Sequence, residues 1–210
     1  RPRTKEIRQI LNEQLRGYDI NSHALKLGAL SLYLTALELD PDPLSGDSLV
    51  FDPLMDHVLF NTRLPDEQYP CSLVLGSLCA ELPHDPMGNR YDLVISNPPW
   101  TAWKAKKGDQ KSQARADVLN GKVSEMIRKI AKERSPLLAD VAVSHENALK
   151  APDVPFMWRS MQWAKPNAVI AYAVHARLLF RRADAGAATR DALFRALRIT
   201  GIFNGTALRM

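Results

Sequence analysis

Cysteine is nearly absent. Cys71 and Cys79 are the only two in 210 residues and neither sits in a metal-ligand pattern, which argues against a disulfide framework and fits reduced thiols. Long apolar runs are also missing, and no stretch reaches the about 18 residues that a membrane helix needs. The opening residues, Arg1-Pro2-Arg3-Thr4-Lys5-Glu6, are charged where a secretory leader is apolar, so secretion is not indicated. Internal repeats and low-complexity tracts are absent too. What is present is 46% hydrophobic residues, enough for one sizeable core in a chain of this length. The expectation is a soluble, cytoplasmic protein with neither a membrane nor a metal among its partners.

Charge is unevenly placed. Residues 1 to 100 carry 8 Lys and Arg against 14 Asp and Glu, and the remainder carries 20 against 9. The densest basic stretch runs from Trp103 to Arg134 and includes Lys104, Lys106, Lys107 and Lys111. A single lysine of this kind is usually a solvated surface residue. A whole basic segment of this length is suited to phosphates.

The most informative stretch is Tyr91-Asp92-Leu93-Val94-Ile95-Ser96-Asn97-Pro98-Pro99-Trp100, an apolar strand running into Asn-Pro-Pro-aromatic. Such a run predicts a buried parallel strand, with a site at its carboxyl end where open α/β sheets bind ligands. Two acceptors, the Asn97 carboxamide oxygen and the Pro98 carbonyl, suit a conjugated amine. Aimed at its hydrogens, they favour the pyramidal nitrogen that attacks an electrophile. Pro98 and Pro99 stiffen the turn and bias Asn97 to an extended conformation. Trp100 offers a face for an unstacked base. A proline-terminated core strand with an aromatic plug is the plainer alternative.

With this motif the chain resembles the amino-methyltransferases, specifically the N6-adenine DNA methyltransferases of restriction-modification and phage-defence systems. The resemblance implies a Rossmann-like α/β fold with a mostly parallel sheet, S-adenosylmethionine as cofactor and DNA as partner. It assigns Asn97, Pro98, Pro99 and Trp100 to the target adenine, and leaves room for a specificity or restriction module in the same chain or complex. Upstream, Leu15-Arg16-Gly17-Tyr18-Asp19-Ile20-Asn21-Ser22 precedes an apolar helix over 24–39, whose leucines and alanines on most sides predict burial. By resemblance Asp19 is the acid that holds the cofactor ribose, and Ile20 packs on the cofactor adenine. Helix capping is the competing role for Asp19, although Asn21 or Ser22 suits it better. Leu73-Val74-Leu75-Gly76-Ser77-Leu78 resembles the family's third cofactor segment, with Ser77 where a carboxylate usually stands. That assigns Ser77 and Leu78 to the cofactor through a weaker contact.

The glycine-rich loop that carries the methionine end of the cofactor does not precede Asp19. Residues 4–15, with Ile7, Ile10, Leu11 and Leu15 at helical spacing, read as the helix after an absent first strand. The chain therefore reads as a partial catalytic domain over 1–210, an internal fragment expected to be inactive by itself. Residues 40–70 form an elaborated connection or a small accessory lobe, and 101–150 a basic loop and helical segment. Further along, a core helix over 154–165 turns at Pro166-Asn167 into a strand over 168–174. A helix over 185–198 and a short strand over 201–203 follow. His175 reads as an ordinary histidine, because amine methylation needs no strong base before attack. Other readings are methylation of RNA, methylation of a protein glutamine amide, and a non-catalytic nucleic-acid-binding remnant.

Overall fold

Parallel strands joined through helices organise the chain, as its alternation of short apolar runs and helical patterns predicts. The structure, a computed structural model, describes residues 3–41, 51–63, 75–78, 91–100, 108–145, 152–180 and 184–203. The chain forms two compact units, Arg1–Asp85 and Pro86–Met210.

In the first unit, helix α1 (Thr4–Gln9) runs on as a π-helical segment over Ile10–Gln14. Ile7 and Leu11 are buried while Ile10 and Leu15 are exposed, so the apolar stripe is narrower than its four residues suggest. Strand β1 (Gly17–Asp19) pairs in parallel with β2 (Leu59–Asn61), Gly17 opposite Leu59. A Cβ on residue 17 would lie 2.7 Å from Leu59 Cδ2, so any larger residue there requires the end of that leucine to shift. Helix α2 (Ser22–Leu39) starts at Asn21, whose side-chain oxygen accepts from the amides of His23 and Ala24 at 2.9 and 3.4 Å. Leu25, Ala29 and Ala36 pack with Ile7, Leu11, Leu54, Val58 and Leu59. The predicted burial of α2 on most sides is corrected here: Leu27, Leu30 and Leu34 are 65%, 53% and 58% exposed. Among the described residues, two three-residue strands and one short helix cover only one side of this 18-residue helix.

In the second unit, β3 (Tyr91–Ser96) pairs in parallel with β4 (Ala164–Tyr172), in register from Leu93 opposite Val169 to Ser96 opposite Tyr172. Between them in sequence come α3 (Gln110–Arg134), a 3-10 turn over Pro136–Leu138, α4 (Ala139–Ser144) and α5 (Asp153–Trp163). Helices α6 (Arg177–Phe180) and α7 (Asp184–Ala196) follow β4. The strand predicted to begin after Pro166-Asn167 begins at Ala164 instead. Pro166 and Asn167 fall in the register break opposite Tyr91–Leu93, where Asn167 has a φ of 66°. Trp158, Met161, Ile127 and Leu138 form the core, each at most 1% exposed.

Two expectations for this unit change. Leu93, Ile95 and Val169 are 52%, 72% and 59% exposed, so β3 is parallel but one face of its sheet is uncovered among the described residues. The segment 201–203 is irregular rather than a strand, with Ile202 and Phe203 exposed. An apolar triplet becomes a strand only where a neighbouring edge accepts its backbone hydrogen bonds.

Gly121 sits mid-way along α3, exposed, and a Cβ there would touch nothing. No contact requires glycine, and its entropic cost in a helix remains. Gly121→Ala is therefore expected to stabilise the chain by about 1 kcal/mol, read as a shift of the urea midpoint at unchanged slope.

Candidate functional site

The end of β3 is fixed by its ladder. Ser96 pairs with Tyr172 in parallel register, and the amide of Ala173 donates to the Ser96 carbonyl at 3.1 Å. The chain then enters Asn97-Pro98-Pro99-Trp100 with Pro98 buried and the other three exposed. The Trp100 indole turns back to the neighbouring strand end, where its Nε1 donates to the Ala173 carbonyl at 3.2 Å. Its ring meets His175 edge-on, with centroids 5.9 Å apart and planes at 83°. Trp100 is nonetheless 42% exposed, which leaves aromatic surface for a ligand.

Two residues that sequence reasoning did not assign to the site belong to its surroundings. His175 is one. Its signal was the parallel register, which carries residues just after Tyr172 alongside those just after Ser96. Tyr172 is the other. Its hydroxyl donates to the Phe156 carbonyl at 3.0 Å and contacts the Ser160 hydroxyl, and a further side-chain hydrogen bond joins it to Ser96. The strand end next to Asn97 is thereby tied to α5.

Burial pushes the Tyr172 phenol above its ordinary value of 10.0, against the opposing hydrogen bonds from Ser160 and Ser96. The folded state thus holds the neutral phenol, and above about pH 10 the unfolded chain loses its proton first. This contribution to stability is fully present below pH 10 and is lost as pH rises through the folded value. The expected result is that the loss of stability between pH 8 and pH 11 is smaller in Tyr172→Phe than in the wild type, measured by denaturant unfolding. An equal loss in both would sink the assignment.

In the first unit, Asp19 ends β1. Its carboxylate accepts from the Asn21 amide at 2.7 Å and stays exposed. Capping of α2 falls to Asn21, which leaves Asp19 out of that role. Ile20 is 42% exposed. The predicted cofactor segments come together here. Gly76 opens a 3-10 turn over Gly76–Leu78 with a φ of 50°, and a Cβ on it would stand 2.7 Å from Ile20 Cγ2 and 3.3 Å from Thr62 Oγ1. Thr62 donates its amide to the Asp19 carbonyl at 2.9 Å, while its buried hydroxyl has no hydrogen-bond partner among the described residues. Ser77 is half-buried and Leu78 is buried, at 3% exposure.

An exposed carboxylate at a strand's carboxyl end suits a ribose, since it accepts two hydroxyls at once. The Ser77 hydroxyl offers a single acceptor contact. Leu78 has little surface left to share with a ligand.

Of the basic residues assigned to DNA, Lys104, Lys106 and Lys107 lie outside the described residues. Lys111 is exposed in the first turn of α3. Among the described residues, no group of three or more His, Cys, Asp or Glu is placed to hold a metal ion, and no helix is long and apolar enough to cross a membrane. Comparisons with protein-family models, with curated proteins and with solved structures gave no match.

Proposed function

We propose that the chain belongs to the catalytic region of an S-adenosylmethionine-dependent methyltransferase that acts on adenine N6 in DNA, with a Rossmann-like sheet. The supporting observation is the Asn97-Pro98-Pro99-Trp100 turn at the carboxyl end of a parallel strand, exposed at every position but Pro98, its tryptophan tethered to the neighbouring strand end. Ligands of open parallel sheets bind at such ends. The Asn97 oxygen and Pro98 carbonyl act as acceptors for the amine, and Trp100 as the surface on which a flipped base stacks.

When bound, S-adenosylmethionine would supply a methyl carbon on a sulfonium, open to direct displacement by nitrogen. Asp19 would hold its ribose, Ile20 would pack on its adenine, and Ser77 would give the purine one hydrogen bond in place of a carboxylate's two. The basic stretch after Trp100 supports a nucleic acid over a protein amide as the methyl acceptor. One observation favours a second reading. Ser77 replaces an acid and Leu78 is buried, as in a nucleic-acid-binding remnant whose cofactor site has weakened.

The test is transfer of labelled methyl groups by the longest natural polypeptide that contains these 210 residues, offered unmodified DNA, RNA and protein in parallel. Label on adenine N6 of DNA is the expected result. Label on RNA or on glutamine would replace the acceptor, and absence of label with retained nucleic-acid binding would leave the remnant.

A further inference from the structure

The turn that follows β3 is held at both of its ends by one residue of the neighbouring strand end. The Ala173 amide donates to the Ser96 carbonyl at 3.1 Å, and the Ala173 carbonyl accepts from Trp100 Nε1 at 3.2 Å. Between those ends Pro98 and Pro99 leave the backbone few conformations. One hydrogen bond at Nε1 still lets an indole swing about that point. A further contact on the ring comes from His175, edge-on, with centroids 5.9 Å apart and planes at 83°. We propose that His175 is a positioning residue, which holds the Trp100 indole in the orientation on which an unstacked nucleobase lies.

His175 suits this task because its own backbone is anchored. Its carbonyl accepts from the Leu178 amide at 3.0 Å. Leu178 is buried, and its carbonyl in turn accepts from Arg190 Nη1 of α7 at 3.4 Å. The place of His175 relative to the turn is thus set by the end of β4 on one side and by α6 on the other. Perpendicular aromatic rings attract when their centroids are about 4.5–7 Å apart, because the positive edge of one meets the negative face of the other. Such a pair favours the held orientation of the indole by about 2- to 12-fold. The arrangement also leaves room for a ligand, since Trp100 stays 42% exposed. A base that stacks on an indole already in place does not bear the cost of ordering it. The role needs the ring of His175 and not its nitrogens, so it differs from that of a general base.

This inference rests on the base-stacking part of the proposed function and not on methyl transfer. Its test is binding of the full chain to a labelled oligodeoxyadenylate strand, with urea unfolding of each variant alongside. His175→Ala should weaken binding by about 2- to 12-fold. Its urea midpoint should stay at the wild-type value, since any residue at 175 keeps the carbonyl that Leu178 uses. His175→Phe restores a ring and should bind as the wild type does. In a Trp100→Ala background the alanine at 175 should change nothing more, because His175 acts through the indole. Equal losses in the alanine and phenylalanine variants would assign the effect to an imidazole nitrogen, and a loss that persists without Trp100 would assign it to direct contact with the strand. Either result overturns the positioning role, as does wild-type binding that His175→Ala leaves unchanged, or no binding by the wild type. Methyl transfer by a chain whose binding ignores His175 sinks this role alone, whereas the expected binding pattern without methyl transfer sinks the proposed reaction alone.

Discussion

Replacing Asn97 with alanine should lower the proposed methyl transfer to adenine by about 10²- to 10³-fold, the cost of deleting one aimed dipole from a reacting centre. The loss should fall on kcat. In the proposed reaction the carboxamide oxygen would act when the amine nitrogen becomes pyramidal, whereas base stacking on Trp100 would act before and after that moment. The backbone at this point does not depend on the side chain. Ser96 is held in its ladder by the Ala173 amide, and Pro98 is buried behind it. Affinity for DNA and the melting temperature should therefore stay near wild type. Asn97→Asp keeps an acceptor in place and should retain more activity than alanine, although its charge changes the local field. Single-turnover transfer with both variants, beside a DNA-binding measurement, separates the outcomes. Transfer by the alanine variant within a factor of three of wild type would show that Asn97 does not act on the nitrogen.

The parts of this site that were legible in the sequence are local ones. Asn-Pro-Pro-aromatic after an apolar strand fixes its own geometry, because two prolines leave the turn few conformations. The competition between Asp19 and Asn21 for the start of α2 was legible for the same reason, since capping is decided within three residues. Long-range partners were not legible. Tyr172 and His175 reach the end of β3 only through the parallel register with β4, and no pattern within either strand announces that register. Strand β2 was hidden too. Its three residues, Leu59–Asn61, stand in a stretch rich in Asp and Pro, too short for alternation to show, and they become a strand because β1 offers an edge.

Burial was overestimated on both sides of the chain, and for one reason. Hydrophobicity reports what a residue gains if something covers it, not whether anything does. The leucines of α2 and the outer residues Leu93 and Ile95 of β3 have the composition of buried elements, yet each lies on a side that no described residue covers. Parallel sheets are ordinarily covered on both faces.

Trp158 marks the centre of that core, and its removal should be the most destabilising single change in the second unit. It is fully buried, and Trp158→Ala is expected to cost about 3–5 kcal/mol from lost transfer energy and the cavity left behind. Phenylalanine tests what kind of residue this is. The indole Nε1 is buried and has no hydrogen-bond partner among the described residues, a defect that costs about 1–3 kcal/mol while it persists. Trp158→Phe gives up some volume but removes that donor, so its net loss should be about 1 kcal/mol or less. Urea unfolding of both variants decides the point. If phenylalanine is as costly as alanine, ring shape outweighs the unsatisfied donor and the account fails. The same pair of variants reaches the functional site, because α5 supplies the Phe156 carbonyl and Ser160 hydroxyl that hold Tyr172, and Ala173 next to it holds Trp100. Trp158→Phe should therefore leave the proposed methyl transfer intact at temperatures where the fold is intact. Trp158→Ala should lose it before global unfolding, as the strand end that carries Tyr172 loosens from its helix.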